Sequence, residues 1–504
     1  MDNKVSLIDG LLKKIEEQAF TILKLEETKA SLAETNGQLL ETINGLQCTI
    51  KEQEAKIKEL EGRLNLNSQN SSKPPSTDGF NKPKSQRTKS SLKCGGQHGH
   101  KGSNMEIPHE ADETIPHFPS KCQSCPHFAE CAKSGNVFVC GEKRYVVDVV
   151  VTTKVTEHLT MGVSSCPCGE KIDSGEFPDE IRAYVQYGDS VSVLVGLLST
   201  YGAVSDQRIH VLLGSLMGVS LSTGTISSMV SRCARKVDVV MENVKATISR
   251  NEIVHFDETG TDVNGKTMWV HNSSTPEFTY QTISNKRGKA GMDFNGVLPD
   301  FSGIAVHDCW PPYWKFDKIQ HSVCNAHLLR ELTGVEQNNP EHKWAKDFKS
   351  LLMSMKSDKE EAVKCGLNKF SDEKLEYFLS EYDRLMKLAD EECPEPVEET
   401  PHKKGRKKKG KERALIVRLQ KYKGSVCLFA SNFSVPFDNN QAERDQRNVK
   451  VKTKVSGCFR TTAGAQNYLN VMSYISTGQK HGVSAIDALN SAFAGNASIV
   501  LQKN

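Results

Sequence analysis

Nowhere in its 504 residues does the chain contain a run of about 18 apolar side chains, so no conventional transmembrane helix is expected. The opening residues, MDNKVSLIDGLLKKIEEQ, are charged throughout and lack the apolar core of a secretion signal. A dominant charge is also missing: 65 Lys and Arg against 62 Asp and Glu leave a formal +3, so bulk charge does not announce a nucleic-acid binder and local charge must decide. The 15 cysteines are an odd number and cannot all pair within one chain. They are scattered except for a cluster between Cys122 and Cys168, which predicts a reducing, cytoplasmic setting with metal binding rather than a disulfide scaffold. With 37% hydrophobic and 25% charged residues the chain can bury a core. Its length corresponds to roughly three or four domain-sized units.

Proline is absent from residues 4–66, and there one heptad register fits throughout. Ile8, Ile15, Ile22, Lys29, Asn36, Ile43, Ile50, Ile57 and Leu64 fall at a; Leu11, Gln18, Leu25, Leu32, Leu39, Leu46, Gln53 and Leu60 fall at d. Ile at a with Leu at d favours a parallel dimeric coiled coil, and a polar Asn36 fixes its register at some cost in stability. The helix should end in Asn65–Pro75, where Asn, Ser and Pro begin a linker. Residues 81–102 are basic, Gly-rich and almost free of large apolar groups. They read equally as a solvated spacer or as an arm along a phosphate backbone.

Cys122 and Cys125, then Cys166 and Cys168, flank an alternating β-branched run from Arg144 to Thr156 that predicts a strand and its hairpin return. Two cysteine pairs joined by such a ribbon can supply four thiolates to a structural Zn²⁺, with Cys131, His117 and His127 as rival ligands. Beyond it, Ser205–Gly218 reads as a capped helix, and a second helix begins near Thr223. That pairing is compatible with a helix-turn-helix, although helical hairpins that bind nothing are commoner.

From Asn251 the pattern changes. Two strand-like runs, one holding Asp257, meet at Asn264-Gly265, and a third follows at Phe278–Ile283. A short strand, Gly303–His307, then ends at Asp308. Three antiparallel strands with an acidic residue in the first match the opening of a ribonuclease H-like fold, in which Asp257 and Asp308 come together. Two close carboxylates repel, and bound Mg²⁺ relieves that while aligning water and phosphate. The third carboxylate is Glu443, just inside a helix for which Asp438 is the expected N-cap. Arg444, Arg447, Lys450, Lys452, Lys454 and Arg460 form a basic surround for polyanionic DNA. Between Asp308 and Glu443 lies more chain than a minimal core needs, so a helical insertion at about 340–425 is expected. It is broken by the basic loop 402–413, with eight basic residues and one acidic. That loop reads either as a DNA contact or as a disordered charged loop.

Six motifs in order, NSSKPPSTDGF, GGQHGHKG, VHFDETG, VHDCWPPYWKF, the segment Cys324–Leu332 and DNNQAERDQR with SGCFRT, closely resemble transposases of the insertion sequence 66 family. The resemblance implies a DDE transposase that binds the ends of an insertion sequence and cleaves and joins DNA, with Asp257, Asp308 and Glu443 as the triad holding two Mg²⁺ (or Mn²⁺) ions. It also implies a zinc-finger-like domain over residues 117–170 and DNA, a second copy of the chain, and accessory proteins of the same element as partners. Cys324 and His327 match a family motif and are read as structural or site-supporting. Asp308 stands in His-Asp-Cys-Trp, where many relatives carry an Asp-Gly-Tyr-like version. The expected organisation is multidomain α+β: coiled coil 1–66, basic linker 67–116, small zinc-ribbon-like module 117–178, helical module 179–249, ribonuclease H-like α/β catalytic domain 250–480 with its insertion, and a helical tail 481–504. The alternatives are a catalytically inactive protein that occupies element ends, and a nuclease without joining activity.

Overall fold

A computed structural model describes residues 2–71, 78, 109–134, 137–139, 142–147, 149, 151–161, 175–395 and 410–502. In chain order its helices before the sheet are α1 (Asp2–Leu64), α2 (Ser120–Gln123), α3 (Phe128–Lys133), α4 (Asp189–Ser199), α5 (Asp206–Met217) and α6 (Thr223–Ser249). Strands β1 (Ile253–Val263), β2 (Lys266–Ser274) and β3 (Thr279–Ser284) follow, then α7 (Lys289–Asn295), β4 (Ile304–His307) and β5 (Gln320–Val323). The helices α8 (Asn325–Asn338), α9 (Trp344–Lys364), α10 (Asp372–Glu392), α11 (Lys411–Lys421) and α12 (Lys423–Ser431) precede α13 (Asn440–Ser456), α14 (Thr462–Lys480) and α15 (Ala485–Phe493). The chain divides into two compact units: Met1–Gln86 with Asn325–Phe433, and Arg87–Cys324 with Ser434–Asn504. No helix among the described residues is long and apolar enough to cross a membrane.

In the sheet-bearing unit the strand order is β3-β2-β1-β4-β5, with β1, β2 and β3 antiparallel and β4 and β5 parallel to β1. The Asn-Gly signal is met: Val263 pairs with Lys266 across Asn264 and Gly265, whose φ angles of 52° and 77° are both left-handed. Gly303 permits the junction of β1 and β4, because a Cβ there would lie 2.4 Å from the Glu252 carbonyl. Ile304 can then donate to that same carbonyl at 2.7 Å.

The helices expected at 205–218 and from 223 are present. Gly218 ends α5 with φ 66°, and the Ser222 hydroxyl caps α6 by accepting from the Thr225 amide at 3.0 Å. Helix α6 is far longer than a recognition helix requires. Its first turns join a small cluster with Val195, Ile209, Leu213 and Leu221. Val237, Val240, Met241, Val244 and Ile248 then form a stripe at helical spacing that packs in one core with Val254, Phe256 and Val270 of the sheet and Leu469, Met472 and Ile475 of α14. Each such side chain contributes about 1.5–3 kcal/mol by leaving water. Ser222, Thr223, Gly224, Ser227 and Ser228 remain exposed at the start of the helix.

The strand and hairpin expected over 144–156 are not found among the described residues. Among the described residues of this run Val146, Val149 and Val155 are almost fully exposed, and an alternating pattern stabilises a strand only where one face is covered.

In the helical unit α1 is one continuous helix of 63 residues, about 95 Å long. The a and d side chains from Ile8 to Leu64 are exposed. A second heptad series accompanies them: Thr21, Thr28, Thr35, Thr42 and Thr49 each donate a hydroxyl hydrogen bond to the carbonyl four residues back, at 2.7–3.0 Å. The start of the expected linker is folded. Asn70 is buried, and its amide donates to the Asn65 carbonyl (2.9 Å) and to Gln337 Oε1 on α8 (2.6 Å). Helices α9 to α12 occupy the expected insertion around Trp344, Phe348, Tyr382 and Leu419. Loop residues 402–409 and the basic arm 81–102 lie outside the described residues. The end of the expected loop is instead the first turn of α11, with Glu412 and Arg413 buried. Glu412 accepts from Asn339, His342 and the Trp344 indole at 2.6–2.7 Å, and Arg413 pairs with Asp390.

Candidate active site

Strand β1 sends alternate side chains to opposite faces of the sheet. On one face His255, Asp257 and Thr261 look toward α13. The His255 ring meets Asn439 (Nδ1 to Oδ1, 2.8 Å) and Thr261 meets Thr453 (2.9 Å). Asp308 follows the last residue of β4, the parallel neighbour of β1, and its Oδ1 accepts the Trp310 amide at 3.0 Å. Glu443 lies in the first turn of α13. The Asp257 carboxyl is held well above the usual carboxylate range, first by burial, then by the negative charges of Glu258 and Asp308, and further by Glu443. Asp257 thus feels two carboxylates distant from it in sequence, Asp308 and Glu443, besides its neighbour Glu258.

Asn439, not Asp438, is the N-cap residue of α13. Asp438 accepts only the Asn440 amide (3.0 Å), while Asn439 is buried and clamps the helix to β1. Its amide group donates to the Phe256 carbonyl at 2.8 Å and its Oδ1 accepts from His255 Nδ1, which fixes that ring's proton on Nδ1. Its backbone N–H donates to the buried Cys324 sulfur at 3.1 Å. Cys324 thus supports the helix that carries Glu443. Burial, the largest effect, keeps His255 below its ordinary pKa. His327, in the helical unit, is half-buried and pushed down to about 4 by desolvation and then by Arg330 and Arg418.

Of the basic residues read from the sequence, Arg444, Arg447, Lys450, Lys454 and Arg460 are exposed. Arg447, Lys450 and Lys454 stand four, seven and eleven residues after Glu443, on its face of α13. The Lys450 ammonium donates to the Gly260 carbonyl at 2.9 Å and feels the charge of Asp257. Lys452 is a correction. It is buried, and its ammonium donates to the carbonyls of Ser199 (3.0 Å) and Val204 (2.8 Å), so it ties α13 to α4 and the chain after it instead of facing a ligand.

Sequence reasoning missed the role of Glu258. Its side chain does point away from Asp257, but it is only 1% exposed. Oε1 accepts from Arg287 Nε (3.1 Å) and Nη2 (3.0 Å), and Oε2 accepts from the Tyr313 hydroxyl at 2.8 Å. Burial and then the nearby Asp308 raise Glu258 to about 7, against the opposing effects of Tyr313 and Arg287. An acidic residue in a strand interior beside a second acid was the available signal.

Among the described residues no three His, Cys, Asp or Glu side chains are gathered into a metal cage. The mutual repulsion at Asp257 is of the sign a cation relieves. For zinc, Cys122 and Cys125 are free thiols at the end of α2, half-buried and exposed respectively, with Cys131 half-buried in α3; Cys166 and Cys168 lie outside the described residues.

The family model described as the transposase IS66 family matches residues 201–467, from the end of α4 into α14. The chain belongs to the IS66 transposase family. The match takes in β1, β4 and the α13 turn that hold the three carboxylates. A second model, a family of unknown function (DUF6444), matches residues 14–106, across most of α1 and the basic arm. A comparison with curated proteins gives no match. Transposases of this family act on DNA, so DNA is the expected partner of the unit that carries this face.

Proposed function

We propose that this IS66-family chain is a DDE transposase: it binds the ends of its element, cleaves the DNA there to leave a 3′ hydroxyl, and joins that hydroxyl to target DNA. The observation that carries the reading is placement: Asp257 on β1, Asp308 just after β4, the parallel neighbour of β1, and Glu443 in the first turn of α13, with the Asp257 carboxyl raised by burial, then by Glu258 and Asp308 and further by Glu443. The strand order supports a ribonuclease H-like catalytic fold, with three antiparallel strands followed by two parallel ones. Asp257, Asp308 and Glu443 are the residues that would hold two Mg²⁺ or Mn²⁺ ions, which supply Lewis-acid charge for in-line attack at phosphorus. Asn439 and Cys324 keep Glu443 aimed at β1. Arg447, Lys450 and Lys454 continue the Glu443 face and offer positive charge to the DNA backbone.

An inactive end-binding relative is the rival, and the three carboxylates with their supporting hydrogen bonds disfavour it. A nuclease that hydrolyses without joining uses the same groups. The test is incubation of the purified chain with Mg²⁺ and DNA carrying the element's terminal inverted repeats. Nicks bearing 3′ hydroxyls, followed by strand-transfer products, are expected. Binding without cleavage would favour the inactive relative, and cleavage without joining the nuclease.

Two further parts of the reading concern assembly. The exposed a/d stripe of α1 supports a parallel dimer. Cys122 and Cys125 with Cys166 and Cys168 are proposed to hold one structural Zn²⁺. Metal analysis of the reduced protein should find one zinc per chain, lost in Cys122→Ser; an unchanged zinc content in that variant would refute the ligand set.

A further inference from the structure

The segment after Asp308 is held by stacking and hydrogen bonds. Tyr313, in the turn of 3-10 helix Pro311–Lys315, is buried and stacks on His307 at 4.4 Å with the rings 13° apart. His307 Nδ1 accepts the Cys309 amide at 3.1 Å, so its proton is on Nε2 and donates to His321 Nδ1 at 3.0 Å. His321 in turn donates from Nε2 to the Phe316 carbonyl at 3.1 Å. The Arg287 guanidinium lies between two indoles, 4.1 Å from the Trp310 ring and 4.8 Å from the Trp269 ring. Tyr313 and Arg287 both end on the Glu258 carboxylate. Glu258 is the next residue along β1 from Asp257, on the opposite face.

We infer that Glu258 is a positioning residue, which locks the Trp310–Tyr313 segment onto the back of β1 and thereby fixes the Asp308 carboxylate relative to Asp257. One strand then does two jobs. Residue 257 presents a ligand group to the site, and residue 258 secures the loop that presents the second. The guanidinium is suited to this because it is planar: it stacks between two rings while its edge gives two hydrogen bonds to one carboxylate oxygen, which a lysine could not do. The inference rests on the proposed metal-binding role of Asp257 and Asp308, but the rigidity of the segment can be read without any metal.

The test uses the full chain with Glu258→Gln and Tyr313→Phe, the second removing a single hydroxyl so that folding is spared. Amide exchange over residues 308–314 should accelerate by about tenfold or more in both, with exchange in α14 unchanged. Mn²⁺ affinity, read from the free-ion signal in electron paramagnetic resonance titrations, should fall roughly tenfold, the usual loss when a group supporting a ligand is removed. Raising Mn²⁺ should restore cleavage in these variants but not in Asp257→Asn. Wild-type exchange rates at 308–314 in both variants would overturn the inference. Accelerated exchange with unchanged Mn²⁺ affinity would overturn it as well, by showing an ordinary packing contact. If wild-type protein and Asp308→Asn bind Mn²⁺ alike, it is the DDE reading that fails, and the exchange result still judges the brace.

Discussion

The two units leave different things unsatisfied. In the sheet-bearing unit the unsettled quantity is charge: the Asp257 carboxyl is raised by burial and by the negative charges of Glu258, Asp308 and Glu443, although the Lys450 ammonium lies within its field. In the helical unit the charged side chains near the core are largely paired. Glu412 receives three donors, Arg413 pairs with Asp390, and Arg418 pairs with Glu331. What remains open there is apolar surface, along the a and d positions of α1. Repelling carboxylates call for cations and a polyanion held through them. An apolar seam calls for another apolar seam. Under the proposed reading, chemistry falls to one unit and assembly to the other.

The largest effect should come from removing the charge. Asp257→Asn, Asp308→Asn and Glu443→Gln keep shape and each should lower cleavage and joining by ~10³-fold or more, since a metal's charge stabilisation is worth several kcal/mol. A double variant should be little worse than a single one, because the groups act as a unit. DNA binding measured by gel shift should persist, and Asp293→Asn, an exposed partner of Lys289, should leave activity unchanged. Near-wild-type joining by Glu443→Gln would move the third ligand elsewhere and break the comparison on its chemical side.

Breaking it on the other side takes one leucine. Leu32→Asp places a charge at a d position in each strand of the proposed dimer. Losing two buried leucines at about 1.5–3 kcal/mol each should weaken self-association by roughly 10³-fold in sedimentation of the full chain. A wild-type chain that sediments as a monomer at high micromolar concentration would leave the stripe without its partner.

The third experiment sharpens the contrast in how the units treat buried charge. His327 is pushed from 6.5 down to about 4, so the folded state binds its proton less tightly than the unfolded state does. Its contribution is then complete above pH 6.5 and is lost as pH falls toward 4, by at most about 3 kcal/mol. The stability difference between wild type and His327→Gln in urea should shrink over that window. Parallel curves would mean that the imidazole is already comfortable with a proton.

How much of this was legible depended on whether a signal was local. The Asn264-Gly265 turn, the Gly218 stop and the Ser222 start each depend on a few adjacent residues, and all three lie where the sequence put them. The candidate carboxylates were readable as residue types, and the parallel pairing of β1 with β4 puts Asp257 and Asp308 on neighbouring strands. The errors share one cause. Asp438 and Asn439 are equivalent N-cap candidates by type, and only the His255 ring and the Phe256 carbonyl, far away in sequence, select Asn439. Lys452 carries the same charge as Lys450 and Lys454, but the helix turns it toward the Ser199 and Val204 carbonyls. Alternation in 144–156 resembles a strand, and a strand needs a covered face that those exposed valines lack.

The smallest predicted effect concerns the residue beside Asp308. Cys309 has φ +68°, a left-handed conformation that costs an ordinary side chain about 1–2 kcal/mol. The backbone is held there by His307 Nδ1 at the amide and the Trp314 indole at the carbonyl (3.4 Å). Cys309→Gly should relieve the strain, offset in part by the freedom glycine gains when unfolded, for a net change within about 1 kcal/mol and with cleavage retained. Cys309→Val puts a β-branched side chain in the same conformation and should destabilise by more than the glycine variant changes stability in either direction, with a matching loss of activity as Asp308 shifts. Thermal unfolding of the two variants side by side decides it. If valine is tolerated as well as glycine, the left-handed turn is not what holds Asp308 in place, and the brace from Glu258 would have to do so alone.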